Sequence, residues 1–454
     1  KNEKSNVLAI IGDGALSGGM AYEGLNTIAT LGTNAIIIIN DNDQSIAKNP
    51  KGGIYTALES LRETKGQATN NIFKALGYDY HYLENGNNLE ELISLFKEVK
   101  DIDHPVVLHI YTEKGKGFEP AERNHEKFHA GGPFSLETGE YIKKGAVIST
   151  YNGITSEYLT KKLKEDPLAV VINAGTPGIV FNRKLREELG SQFIDVGIAE
   201  EQAVTMTTGL AKNGAKAVWA VLSTFLQRTY DQLSHDMALN NQAGVVLVYS
   251  ASINSMNDES HLGFFDIPFI SHIPNFVYLA PVNKEEHLAM LEWAINQNEH
   301  PVAIRVPVGS VVETGKEDKT DYSILNKNKV EKFGEQVAIF GVGNFYNLAE
   351  EVSEQLKLEH NIEATLVNPR FLTGLDKELL NSLEENHKLV VTIEDGIVEG
   401  GYGQTVASFL GNTDLKVQNY GINKKFYDRY KVEELMEENG LTVDKIVKNV
   451  IESL

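Results

Sequence analysis

The stretch Val7-Leu8-Ala9-Ile10-Ile11-Gly12-Asp13-Gly14-Ala15-Leu16-Ser17-Gly18-Gly19-Met20 decides how this chain is read. The aliphatic run fits a buried strand, the glycines fit a sharp turn, and a helix fits from Gly19 to Leu31. A strand that turns through glycines into a helix aims backbone N–H groups at an anion, typically a phosphate. Such a turn is equally compatible with a tight connection and nothing more.

Two phosphate sites compete for it. A dinucleotide site would use Gly12 and Gly14 as fingerprint glycines, with Asp41 on a ribose hydroxyl. Ser17 would then stand in the third glycine's place, and Asp13 would set a bare carboxylate beside a pyrophosphate. Two anions in contact repel by on the order of several kcal/mol in a partly desolvated site. A magnesium ion, which takes oxygen ligands and commonly bridges protein groups to phosphates, removes the conflict. A second oxygen ligand is then expected where Asn40-Asp41-Asn42 follows the aliphatic run Ala35–Ile39. Asp13 and Asn42 are 29 positions apart, one strand–helix–strand unit, so both emerge at one sheet edge. This spacing favours a magnesium–diphosphate site over a dinucleotide site.

Outward from the turn, aliphatic runs alternate with amphipathic stretches, the pattern of α/β domains with parallel sheets. The first block carries strands at Val7–Ile11, Ala35–Asn40 and Val106–Tyr111, and helices at Gly19–Leu31, Ala68–Leu76 and Asn88–Val99. Lys114 to Lys144 reads as a long loop or linker. A second block has strands at Ala169–Asn173, Phe193–Val196, Ala217–Val221, Gly244–Tyr249, Phe276–Ala280 and Val302–Val306. A third has strands at Val337–Phe340, Glu363–Val367 and Leu389–Ile393, with helices at Asn347–Leu356 and Gly403–Leu410. The expected plan is three tandem α/β domains with mainly parallel sheets, at 1–144, 145–318 and 319–454.

Composition narrows the function classes. The 454 residues suggest roughly three domains at about 150 residues each. No cysteine is present, which excludes disulfide scaffolds, iron–sulfur clusters and thiol nucleophiles. The net charge of −21 argues against nucleic acid as the main partner, since phosphate backbones need clustered lysine and arginine. No apolar run approaches the roughly 20 residues of a membrane helix. A soluble cytoplasmic protein is expected.

Gly12-Asp13-Gly14, followed by Asn42 after one strand–helix–strand unit, resembles the thiamine diphosphate motif of the transketolase-like enzymes. The longer text resembles the 1-deoxy-D-xylulose-5-phosphate synthase family in particular. It covers Gly12 to Asn26, Asn40 to Ile46, Lys114 to Glu122, Phe128-His129-Ala130, Asp195 to Glu200, Ser223 to Gln232, His261 to Asp266 and Asn368 to Asp376. The resemblance implies that Asp13, Asn42 and the backbone carbonyl of Gln44 hold magnesium, and that the amides of Gly14 and Ala15 touch the phosphates. It implies that Glu200 presses a carboxyl group against a ring nitrogen of the cofactor, for which a desolvated carboxyl of raised pKa is suited. The alternative for Glu200 is an acidic residue favoured by the helix dipole, a role that Glu201 fits better. Phe225 would stack on the cofactor with Phe118 nearby, and His129 and His261 would handle protons. Arg228 would sit at the pocket entrance or donor pocket, or else form a surface ion pair. A homodimer is expected. In the family's reaction pyruvate loses carbon dioxide and its two-carbon unit passes to the aldehyde of glyceraldehyde 3-phosphate, with the cofactor as electron sink.

The sequence departs from the family in one place above all. Glu200-Glu201-Gln202 replaces the family's Glu-Gln-His, Leu222 replaces a tyrosine, and Asn257 an aspartate. Ser250 and Val308 stand where the family carries arginines for the acceptor's phosphate. Serine and valine cannot replace a guanidinium–phosphate pair. The sequence therefore predicts a synthase-like donor half-reaction with poor or absent use of glyceraldehyde 3-phosphate. The alternatives are ketol transfer between sugars and a non-catalytic cofactor-binding homologue. The chain opens without methionine directly before a strand, where family members carry a considerable further stretch, so a fragment of a longer enzyme is expected.

Overall fold

Hydrogen bonding builds three sheets, seen in a computed structural model that describes residues 5–142 and 149–454. The first contains β1 (Val7–Gly12), β2 (Ala35–Asp41), β3 (Asp79–Leu83) and β4 (Val106–Tyr111) in the order β1-β2-β4-β3, every pair parallel. The aliphatic residues of β2 are all buried, as a central parallel strand requires, whereas Val7, Leu8 and Ile10 of the edge strand β1 are exposed, which corrects the expectation of a buried strand there. The helix Gly19–Leu31 stops at Gly32, whose φ of 59° is left-handed and returns its N–H to Ile28 O.

The second sheet contains β5 (Ala169–Asn173), β6 (Phe193–Asp195), β7 (Lys216–Leu222), β8 (Val245–Tyr249), β9 (Val277–Leu279) and β10 (Val302–Arg305). Its order is β6-β5-β7-β8-β10-β9, and β7–β8, β8–β10 and β10–β9 are parallel. The third contains β11 (Lys329–Lys332), β12 (Gln336–Gly341), β13 (Thr365–Asn368), β14 (His387–Ile397) and β15 (Lys416–Ile422). Its order is β11-β13-β12-β14-β15; only β11 runs antiparallel to its neighbour. This is the α/β architecture of mainly parallel sheets that the sequence implies.

Contacts divide the described residues differently from the three sheets. One unit holds those of Lys1–Val147 together with Asn173–Pro177 and Asp195–Glu200. The other holds those of Ile148–Ile172, Gly178–Ile194 and Glu201–Leu454. The expected boundary at 144–145 lies outside the described residues. Among the described residues no helix is long and apolar enough to cross a membrane.

Several local expectations are corrected. The helix expected over Ala68–Leu76 is a single turn, Ile72–Ala75, because the Asn71 side chain accepts from Phe73 N and Lys74 N and starts it there. A helix not anticipated, Gly53–Glu63, buries Tyr55, Leu58 and Leu61 at helical spacing; Pro50 and Gly52 in front of it and Gly53 at its start disguise the pattern. Within the expected loop Lys114–Lys144 lie the short helix Glu119–Arg123 and a bridge between Phe134 and Tyr141. The strands missed from sequence, β3, β11 and β15, are all sheet edges. Edge strands need not be apolar on both faces, so their sequences are mixed.

Candidate active site

The turn after β1 is set by its ladder. Gly12 pairs with Asn40, and the next amide, Asp13 N, donates to Asn40 O at 3.2 Å. This places Asp13 at the sheet end beside the turn that leaves β2. There Gln44 N donates both to Asp13 Oδ2 at 3.1 Å and to Asn42 Oδ1 at 3.2 Å. Asn49 Nδ2 donates to Asp13 Oδ2 at 2.5 Å. The structure thus brings Asp13 and Asn42 to one sheet edge, as their spacing predicts, joins them through the Gln44 amide, and adds Asn49, which the sequence reading missed. Asp13 is 1% exposed. Burial, aided by the charge of Asp41, pushes its pKa from 3.8 up to about 6 against the hydrogen bonds that favour the ionised form.

Residues that lie far along the chain join the same turn. Asp195 Oδ1 accepts from Gly175 N at 2.9 Å and from Gly197 N at 3.0 Å, tying the segment after β6 to the one after β5. Both glycines have positive φ, 72° and 76°. A Cβ on Gly197 would lie 2.8 Å from Ser17 Oγ and from Tyr55 OH, and one on Gly14 would meet Ser45 Cβ at 2.8 Å and Ile198 Cδ1 at 3.7 Å. Tyr55 OH and Ser17 Oγ both donate to Gly14 O, at 3.1 and 3.0 Å. The segment that leads into Glu200 is therefore seated on the Gly14 turn. Glu200 opens the helix Glu200–Lys212 and is 3% exposed. Gly14 and Ala15 open the short turn Gly14–Ser17.

Lys114 is a second residue that sequence reasoning did not single out, although it stands in a stretch that carries the family resemblance. Its Nζ donates to Ser45 O and lies 3.0 Å from His129 Nδ1. Burial lowers the pKa of Lys114, while the charge of Asp13 acts to raise it. Burial and the charge of Lys114 lower that of His129. His129 is thus brought to the Gln44–Ser45 turn. Phe118 packs its ring edge-on against Phe128 at 5.5 Å and near Phe134 at 5.5 Å.

Phe225, Arg228 and His261 belong to the other unit. The rings of Phe225 and His261 meet edge-on at 5.6 Å. His261 Nδ1 lies 2.8 Å from Ser260 Oγ and 3.4 Å from Asp258 Oδ1. Arg228 Nε lies 3.6 Å from Glu201 Oε1, with both side chains about a third exposed (35% and 36%). Ser250 adopts a left-handed φ of 57° and approaches Gly263 so closely that a Cβ there would overlap Ser250 O. Val308 N donates to Asn344 Oδ1 at 2.9 Å, and Asn257 Nδ2 donates to Tyr430 O at 2.8 Å.

The dinucleotide alternative fails on Asp41. It is fully buried, with Arg62 Nη1 at 2.9 and 2.7 Å from its two oxygens and His109 Nε2 at 2.7 Å, so it has no edge left for a ribose. Burial alone would raise the Asp41 pKa; the hydrogen bonds from His109 and Arg62 outweigh it and hold the group below its ordinary range. The site does fit a magnesium diphosphate. Asp13 carries a buried charge stabilised by neutral amides, and Asn49 Oδ1 is buried with no hydrogen-bond partner among the described residues. An oxygen-rich set of this kind suits a hard cation. Among the described residues no group of three or more His, Asp or Glu side chains could hold a metal ion, so a magnesium site here would rest on one carboxylate with amide oxygens.

Comparison with known proteins gives the same grouping. The profile described as "1-deoxy-D-xylulose-5-phosphate synthase" matches residues 1–70 and 55–112. Those for the transketolase pyrimidine binding domain and the transketolase C-terminal domain match 149–312 and 326–446. The 1-deoxy-D-xylulose-5-phosphate synthase of Clostridium perfringens (strain SM101 / Type A) is 36% identical over 487 residues, covering 99% of this chain and 78% of the relative. That of Clostridium tetani (strain Massachusetts / E88) is 35% identical over 491 residues, with the same coverage, 99% and 78%. Among solved structures, a split gene transketolase, an inactive beta4 tetramer, superposes with a TM-score of 0.57 at 23% identity, over 67% of this chain and 98% of that one; this likeness concerns the fold. The chain belongs to the 1-deoxy-D-xylulose-5-phosphate synthase family, within the transketolase-type transferases.

Proposed function

We propose that this chain carries out thiamine diphosphate-dependent transfer of a two-carbon unit from pyruvate, with loss of carbon dioxide, to an aldehyde. The single observation that carries the reading is the buried Asp13 carboxylate, which shares the Gln44 amide with Asn42 on the turn where the Gly197–Glu200 segment is seated. On this reading Asp13, Asn42 and the Gln44 carbonyl hold Mg2+, and the amides of Gly14 and Ala15 take the diphosphate. The cofactor supplies the electron sink for decarboxylation and carbon–carbon bond formation. Glu200 holds a carboxyl group against the cofactor's pyrimidine, in surroundings dry enough to favour a shared proton. Phe225 and Phe118 line the cofactor site, His129 and His261 move protons on the substrate, and Arg228 guides the donor. The domain plan 1–144, 145–318 and 319–454, a homodimer and a cytoplasmic location belong to the same reading.

The acceptor is proposed to differ from glyceraldehyde 3-phosphate, because Ser250 and Val308 offer no cation where the family resemblance implies arginine. The test is an acceptor screen on the full-length protein with pyruvate, thiamine diphosphate and magnesium. Expected is pyruvate-dependent release of carbon dioxide that is faster with unphosphorylated aldehydes. Synthase-like turnover with glyceraldehyde 3-phosphate would overturn the acceptor reading, and ketol transfer from sugars without carbon dioxide release would overturn the donor reading.

A further inference from the structure

Asp41 stands between Asn40 and Asn42, yet its carboxylate is held in a network of its own. Its Oδ1 accepts from Asp43 N at 3.1 Å, and Arg62 Nη1 reaches both oxygens. His109 Nε2 reaches Oδ2 at 2.7 Å, and the other ring nitrogen of His109 lies 2.8 Å from Tyr80 OH. A carboxylate only accepts, so His109 donates from Nε2 to Asp41. The network runs across three strands: Tyr80 on β3, His109 on β4 and Asp41 at the end of β2. Arg62 comes from the helix Gly53–Glu63 and also lies 3.4 Å from Asp43.

These contacts act on one turn. Asp43 adopts a left-handed φ of 57°, a conformation that costs a non-glycine residue free energy and needs external support. Its amide is held by Asp41 and its side chain by Arg62. The residues on either side of it are Asn42 and Gln44, the two that meet Asp13. Releasing Asp41 would free the backbone that aims the Asn42 oxygen, while the amide of Asp13, just past the end of β1, stays held by Asn40 O.

We propose that Asp41, clamped by Arg62 and by the Tyr80–His109 pair, is a positioning residue that presets the Asn42–Gln44 turn for the divalent cation before any ligand arrives. The inference rests on the magnesium reading of Asp13 and Asn42. Groups that orient metal ligands from behind typically contribute 10–100-fold to metal affinity.

The test is calorimetric binding of thiamine diphosphate at graded MgCl2 to the substrate-free full-length protein, alongside urea unfolding of the same cofactor-free protein. Asp41→Asn should raise the Mg2+ concentration needed for half-saturation about 10–100-fold, with kcat recovering at saturating Mg2+. His109→Leu should do the same, whereas His109→Gln, which keeps an N–H for Asp41, should restore most of the affinity. If Asp41→Asn does not fold, the two His109 variants decide. Wild-type Mg2+ dependence in Asp41→Asn and His109→Leu would overturn the proposal. So would equal losses in His109→Gln and His109→Leu that follow only the fall in urea midpoint. Failure of the wild-type protein to bind thiamine diphosphate with magnesium would instead bring down the reading of the site itself.

Discussion

Two buried acidic clusters in this molecule solve the same problem in opposite ways. In the second unit Asp266 and Asp395 are fully enclosed, and Arg305 stands between them, with its Nε 2.8 Å from Asp266 Oδ2 and its Nη1 on Asp395. Tyr278 OH and Asn344 Nδ2 complete the set. In the glycine turn Asp13 is just as deeply buried, but its donors are the neutral Gln44 N and Asn49 Nδ2. A fixed guanidinium satisfies a buried carboxylate for good; neutral amides leave its charge partly uncompensated. The first cluster is architecture. The second rests on neutral amides, the difference expected between the proposed cation site and a salt bridge.

The comparison can be broken at either end. The largest effect is expected for Arg305→Leu, which leaves two carboxylates without their cation and should destabilise the protein by about 3–5 kcal/mol in urea unfolding. A loss under about 1 kcal/mol would mean the cluster is wetter than its burial indicates.

Asp13→Asn should move the other way. In the folded, cofactor-free protein Asp13 holds its proton up to about pH 6, whereas an unfolded aspartate releases it near 3.8. The folded state therefore binds more protons across that window, and stability falls as pH rises through it. The cost at pH 7 is about 3 kcal/mol. Asp13→Asn should recover up to that amount at pH 7 and nothing below about pH 4, while abolishing Mg2+-dependent thiamine diphosphate binding. A variant less stable than wild type at pH 7 would refute the unpaired-charge account.

A catalytic effect of similar size separates Glu200 from an ordinary buried helix-start residue. Glu200→Gln should lower kcat by about 10²–10⁴-fold with little change in unfolding midpoint. A stability loss with kcat intact would return Glu200 to a structural role.

The smallest effect tests the close packing of the turn. A Cβ on Gly14 would meet Ser45 Cβ at 2.8 Å and Ser45 Cα at 3.4 Å, so Gly14→Ala should cost about 1–3 kcal/mol. It should weaken cofactor binding too, by shifting the Gln44–Ser45 turn; unchanged affinity would show that the turn yields without consequence.

How much of this was legible in the residues differs by position. The Asp13–Asn42 pairing could be read because a parallel strand–helix–strand unit returns both strand ends to one sheet edge, and their spacing carries that information. Asn49 and Lys114 could not, since their roles depend on how irregular segments fold back: Asn49 onto Asp13, and Lys114 onto Ser45 O. Asp41 invited a wrong role in the dinucleotide alternative, because its sequence neighbours say nothing of His109, 68 positions away. The edge strands β3, β11 and β15 escaped because they are largely half-buried or exposed and carry no aliphatic run.

By itself, then, the sequence determined the buried central strands, the glycine turn and the family, all properties carried by local runs and fixed spacings. Only the tertiary structure decided which carboxylate is neutralised and which is not. Asp13 and Asp41 each stand at a strand end, and their sequence neighbours do not show which side chains reach each carboxylate. Arg62 and His109 reach one and leave the other to amides, and in a water-poor interior that difference of partners sets the charge each can offer.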